Sequence, residues 1–254
     1  GYGHGCPPLA QNIVIVITSH LVGPYRMRLA MMIFPNVTMQ DFIGPYEVFS
    51  RVDKFTIDVF SPKSGEIKTD TGLTFKSSQN IDDVKGCDIL FIPGGSGVNQ
   101  LLEDSSLLTK IAQLGMRAQF VTSVCTGALV LAACGLLEGY RATTHWRYAD
   151  LLSLCKAIPF EGRVVVDRNR ITGGGVTAGI DFALHLVAAV VSEEMARQVQ
   201  LQIEYNPAPP FDSGHPATAH TSTVDSVRKQ TETSHSRRRA LVMAAYAALA
   251  KQQS

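Results

Sequence analysis

The sequence predicts an α/β fold: a single domain with a mostly parallel central sheet, helices on both of its faces and a cysteine on a strand-to-helix elbow. Three observations lead there. Short apolar, β-branched segments alternate with longer amphipathic ones from Met27 onward, the pattern of strand–helix–strand units. With 254 residues, 45% of them hydrophobic, the chain can bury one sizeable core. The stretch QFVTSVCTGALVLAACGLL passes from strand to helix with no linker, and Cys125 stands at the hinge.

Residues 28–34 form a first buried strand, and 41–52 a helix in whose first turn Pro45 is tolerated. A second strand spans 55–60. The polar, glycine-punctuated residues 61–80 suggest a hairpin on the sheet's edge. Residues 88–92 (DILFI) form a third, central strand that runs into Pro93-Gly94-Gly95-Ser96-Gly97, and a helix follows over 98–115. Beyond the Cys125 elbow, 142–146 (ATTHW) reads as a short strand. Residues 163–166 and 170–172 bracket a turn, giving a hairpin. Helices follow over 176–191 and 193–205, stopped by Pro207, Pro209 and Pro210. The Pro-, Ser-, Thr- and His-rich residues 206–232 read as a surface loop. An Ala- and Leu-rich helix over 238–251 then docks on the domain or on a partner subunit.

The formal net charge of +1 argues against a nucleic-acid footprint, and the basic run 237–239 reads as the solvated start of that last helix. The five cysteines, at 6, 87, 125, 134 and 155, make no CxxC or metal-ligand spacing, and Cys87, Cys134 and Cys155 read as core fillers. A reduced, cytoplasmic setting is the expectation. No apolar run is long enough to cross a bilayer, the stretch 12–18 falling well short of the ~18 residues needed. Residues 1–26 are set aside as an extension, with Met27 as the start of the domain.

In open parallel sheets ligands bind beyond the C-terminal ends of the strands. Three loops there carry unusual residues: 35–44, 93–97 and 123–127. A thiol at the Cys125 elbow faces the first amides of a helix, which favour the thiolate; a buried, inert cysteine is the plain alternative. The amides around Gly94 and Gly95 could stabilise developing negative charge, or form a simple turn. Asp41 is a helix cap or an acid beside the thiol, and it competes for the acid role with Glu47. The Thr126 hydroxyl caps the helix or holds substrate or water. His145 is a Cys partner or a satisfied core histidine, and His185 is structural. His215, His220 and His235 sit in polar loops without partners, so no metal site is expected.

Taken in order, MMIFPNVTMQDFIGPYEVF, DILFIPGGSGV, VTSVCTGALVLAACGLLEGYRATTHW and ITGGGVTAGIDFALHLV resemble the PfpI-type branch of the glutamine-amidotransferase-like superfamily, over about residues 27–206. Within it the VTSVCTG elbow, ATTHW and QLQIEYNPAPPF look like the isonitrile-hydrating members. The resemblance implies a flavodoxin-like sandwich and a homodimer, with Cys125 as nucleophile and Asp41 and Thr126 as its essential partners. It also implies addition of water to a small-molecule isonitrile through a thioimidate on Cys125, with no cofactor. Protease-like members place histidine directly after the cysteine, where this chain has Thr126. Stress-protein members hold the cysteine with a glutamate, whereas here Asp41 takes that place and Glu47 drops back to a structural role. A glyoxalase- or deglycase-like enzyme and a non-catalytic sensing domain are the rival expectations. The latter occurs in transcription regulators that carry a further helix-turn-helix region of ~100 residues, itself the size of a domain.

Overall fold

The structure, a computed structural model, describes residues 25–77 and 79–253. The extension expected over residues 1–26 therefore lies, up to residue 24, outside the described residues.

The main sheet is built from β1 (Met27–Met32), β2 (Phe55–Ser61), β5 (Gln79–Asn80), β6 (Ile89–Ile92), β7 (Phe120–Val124), β10 (Val164–Asp167) and β11 (Arg170–Gly173). These seven strands lie in the order β10-β11-β7-β6-β1-β2-β5. All neighbours run parallel except β10 and β11, which form the expected hairpin. Every residue of β6 and β7 is buried, as a strand covered on both faces requires.

From β1 the chain crosses through α1 (Met39–Phe49) to β2 on one side. From β6 it crosses through α2 (Val98–Glu103) and α3 (Ser105–Arg117) to β7 on the other. Right-handed crossovers that depart in opposite directions put their helices on opposite faces. Accordingly α1 packs on α5 (Ala178–Val190), which packs on α6 (Glu193–Gln202). On the other face α2 and α3 pack with α4 (Gly127–Ala133) and α7 (Thr221–Gln253). The order reverses between β1 and β6, and the C-terminal ends of strands at such a switch point are where open parallel sheets place their sites. The elbow after β7 stands beside this one.

Several elements differ from the sequence expectation. The helix expected over 98–115 breaks at Asp104, whose carboxylate accepts from Leu107 N at 2.9 Å and caps a new helix. The hairpin of β3 (Gly65–Lys68) and β4 (Thr74–Ser77) forms a sheet of its own. It folds over the loop after β1, with Asn36 N donating to Lys68 O and Asp70 N to Val37 O. The strand expected over 142–146 is reduced to β8 (Arg141–Ala142), paired with β9 (Ile158–Pro159). Side chains end it: Thr143 N donates to Thr172 Oγ1, and the ring of His145 caps the 3₁₀ helix Trp146–Cys155.

The largest correction concerns residues 206–232. The loop ends at 220, and a 33-residue helix, α7, runs from Thr221. The Ser- and Thr-rich first half of α7 lacks an apolar stripe, and tertiary bonds hold it instead. Arg147 pairs with Glu232 at 2.7 Å, Tyr148 Oη meets Ser234 Oγ at 3.1 Å and His235 Nε2 meets Asp150 at 2.9 Å. His235, expected in an unpartnered loop, thus belongs to this interface. So does the run 237–239, whose central Arg238 is buried in mid-helix. Long as it is, α7 is too polar to cross a membrane, and no helix among the described residues is long and apolar enough to do so.

The core on the α1/α5 face centres on Phe182, stacked on Phe91 at 5.5 Å and edge-on to Phe49 at 6.2 Å. Phe182→Ala is expected to lower unfolding stability by about 3–5 kcal/mol, read from urea denaturation.

Candidate active site

Cys125 follows β7 with φ +55°, in the left-handed region that L-residues enter at a cost. Its backbone is held at both ends. Its N–H donates to the carbonyls of Gly173 (3.0 Å) and Gly174 (2.8 Å), and its carbonyl accepts from Thr144 Oγ1 at 2.7 Å. The chain then turns under the neighbouring strand. A Cβ on Gly127 would lie 2.1 Å from Ile92 O, so only glycine lets α4 start there.

The loops after β1 and β6 are joined to each other. Thr38 N donates to Gly94 O at 3.0 Å and Gly97 N to Asn36 O at 3.1 Å. The loop after β6 bears on both Asp41 and Thr126. Gly94 N donates to Asp41 Oδ2 and Gly95 N to Thr126 Oγ1, each at 3.0 Å. A Cβ at Gly94 would meet Thr126 N at 2.6 Å and Asp41 Oδ2 at 2.7 Å. This corrects the expected oxyanion role: the Gly94 and Gly95 amides are committed to holding Asp41 and Thr126.

Asp41 lies in the first turn of α1 rather than at its cap, which is Thr38. It is fully buried, and its Oδ1 has no hydrogen-bond partner among the described residues. Burial pushes its carboxyl up to about 7, opposed by hydrogen bonds from the Cys125 thiol and the Gly94 amide. Burial and the charge of Asp41 hold the Cys125 thiol well above its usual range, against the Thr126 amide and the charge of Arg238. The expected free thiolate is thereby corrected. α4 has only seven residues, and its N-terminus does not outweigh desolvation. The resting site is a buried thiol beside a buried carboxyl.

The other candidates separate clearly. Glu47 is exposed and pairs with Arg51 on the surface. His145 stacks on Trp146, accepts from Arg147 N at 3.3 Å, and burial lowers its pKa, so it is neutral. It lines a cleft of about 1060 Å³ together with Gly174, Trp146, Phe160 and Phe211. His185 bonds its own helix through Asp181 O at 2.8 Å.

Sequence reasoning misses Arg238. The residue is 3% exposed, and its guanidinium lies 4.4 Å from the Tyr148 ring centre and donates to Asn99 Oδ1 (3.0 Å) and Gly95 O (3.3 Å). A signal was available. Arg238, Val242, Ala245 and Leu249 recur at spacings of three and four, which places the arginine on the buried stripe of α7.

Comparisons with known proteins agree with this fold. Residues 27–189 match the DJ-1/PfpI family. An isonitrile hydratase from Pseudomonas putida is 46% identical over 204 residues, covering 80% of this chain and 90% of its own. The HTH-type transcriptional regulator CdhR from Pseudomonas aeruginosa is 28% identical over 183 residues, 53% of its length. A crystal structure of a THiJ/PfpI family protein from Pseudomonas syringae superposes with a TM-score of 0.84 at 35% identity, covering 92% of this chain and 98% of that one.

The buried carboxylate has a consequence for stability. A folded-state pKa raised from 3.8 to about 7 means that Asp41 costs nothing while protonated in both states, and costs stability as pH rises through that interval. Every tenfold weakening of the carboxyl's acidity on folding is worth about 1.4 kcal/mol. Asp41→Asn removes this slope while leaving an oxygen for Gly94 N. The stability of the variant relative to wild type should therefore climb between pH 4 and pH 8, as measured by denaturant titrations across that range.

Proposed function

The chain belongs to the DJ-1/PfpI family, and we propose that within it the protein is an isonitrile hydratase, a lyase that adds water to an isonitrile to give an N-substituted formamide. The observation that carries this reading is the buried Cys125–Asp41 pair, a thiol beside a carboxyl that burial pushes up to about 7. The 46% identity with the Pseudomonas putida enzyme over most of both chains supports it.

An isonitrile carbon accepts both a nucleophile and a proton. Asp41 takes the proton of the Cys125 thiol and delivers it to that carbon as the sulfur bonds to the same atom. One S–H adds across one carbon: the carbon's lone pair takes the proton, one C–N π pair moves onto nitrogen as sulfur bonds, and the product is a thioimidate, R–N=CH–S–Cys125. The Thr126 N–H faces the sulfur and steadies its developing charge. Asp41, ionised again, takes a proton from water as the oxygen attacks the thioimidate carbon and passes it to the nitrogen. Collapse of the tetrahedral adduct breaks the C–S bond, the proton of its hydroxyl returns to sulfur, and R–NH–CHO leaves. Thr126 Oγ1, fixed by Gly95 N, orients the water. The cleft beside Gly174 takes the R group against Trp146, Phe160 and Phe211, with neutral His145 in its wall.

Wild-type protein should convert cyclohexyl isocyanide to N-cyclohexylformamide. Cys125→Ala should lose activity entirely, and Asp41→Asn should fall by about 10²-fold or more. An inactive wild type, or an active Cys125→Ala variant, would sink the reading. The pH profile gives an independent check. Below about 7 Asp41 is protonated and cannot accept the thiol proton, so kcat/KM should rise with pH to a plateau through that value. A profile flat from pH 5 to 9 would contradict the shared-proton mechanism.

A further inference from the structure

We propose that Arg238, carried in on α7, is a positioning residue of the Cys125 site: its guanidinium pins the loop that holds Thr126 and brings a fixed positive charge to the sulfur's side of the site. The inference rests on the reading of Cys125 as the nucleophile. Its first part is geometric. Arg238 Nη2 donates to Gly95 O at 3.3 Å while Gly95 N donates to Thr126 Oγ1 at 3.0 Å. A single peptide residue thus links the arginine to the threonine whose own N–H faces the Cys125 sulfur. Gly95 stands at φ +139°, and a Cβ there would lie 2.5 Å from Thr38 N, so its position leaves no room for drift.

The second part is electrostatic. Arg238 is 3% exposed, beyond the reach of solvent screening, and its charge acts on Cys125 in the direction that favours the thiolate. A guanidinium is costly to bury unless its donors are used. Here Nε is held by Asn99 Oδ1 at 3.0 Å and the planar face lies over Tyr148. Tyr148 in turn stacks on His235 at 5.8 Å, and His235 Nε2 bonds Asp150 at 2.9 Å. The titratable and charged groups that act on the sulfur are Asp41 from α1 and Arg238 from α7. Asp70, from the turn between β3 and β4, acts on Asp41, and Arg238 acts in addition on neutral His145. Arg238 is the cation of that group. It also lies outside residues 27–189, the part of the chain that matches the family model, and reaches the site from α7.

The test follows the rate of Cys125 alkylation by iodoacetamide, read by peptide mass as a function of pH, a readout that needs no isonitrile turnover. Failure of the proposed reaction and failure of this inference are therefore distinguishable. Arg238→Met should slow alkylation by about tenfold or more at every pH below the thiol's titration, since the thiolate fraction falls by one constant factor. Arg238→Lys keeps the charge and should recover most of that rate. Val242→Ala loosens the docking of α7 without touching charge, and should lower the melting temperature while leaving the alkylation profile in place. If Arg238→Met alkylates like wild type, or Lys fails to recover the rate, or Val242→Ala moves the profile as far as Arg238→Met does, the inference is overturned. Should Arg238→Met not fold, the Lys and Val242→Ala profiles alone decide between charge and docking.

Discussion

The site depends on the left-handed backbone of Cys125 and on the three hydrogen bonds that hold it there. A residue at φ +55° is strained, and that strain persists because the Gly173 and Gly174 carbonyls accept its N–H while Thr144 Oγ1 grips its carbonyl. Those partners come from the end of β11 and from the segment after β8. The aim of the thiol therefore depends on β11, paired parallel to β7, and on the segment after β8. Gly127, with no space for a Cβ beneath Ile92 O, closes the turn from the other side.

Around that elbow the chain gathers groups that would be unfavourable anywhere else. Asp41 is a buried carboxyl with one oxygen unpartnered among the described residues, Cys125 a buried thiol and Arg238 a buried guanidinium. Each alone costs desolvation energy; together they divide one proton and one positive charge among three groups in a low-dielectric pocket. Stability is given up there and recovered in the apolar layers on both faces of the sheet. A proton shared between sulfur and carboxylate is also what addition of S–H across a single carbon calls for.

Much of this was legible in the sequence. The run from VTSV through Cys125 to small helix-forming residues located the elbow, and the alternation of strands and helices located the sheet. Asp41 and Thr126 followed from residue type and from resemblance. What the sequence obscured was non-local. The amides of Gly94 and Gly95 look free in sequence, and only folding shows that Asp41 and Thr126 occupy them. A helix N-terminus beside the sulfur is visible in sequence, but the burial that overrides it in a helix of seven residues is not. Residues 221–237 carry too many serines and threonines to announce a helix, because that half is held by partners elsewhere in the chain. Arg238 hid inside a basic run, 143 residues from the glycine it holds.

The central claim is that Cys125 itself becomes bonded to the isonitrile carbon. Mass spectrometry on samples quenched during the first turnover of cyclohexyl isocyanide addresses it directly. The account predicts a transient species in which the Cys125 peptide is heavier by one isonitrile, forming before the formamide and decaying as it appears. Formamide accumulating while that peptide stays unmodified would contradict it.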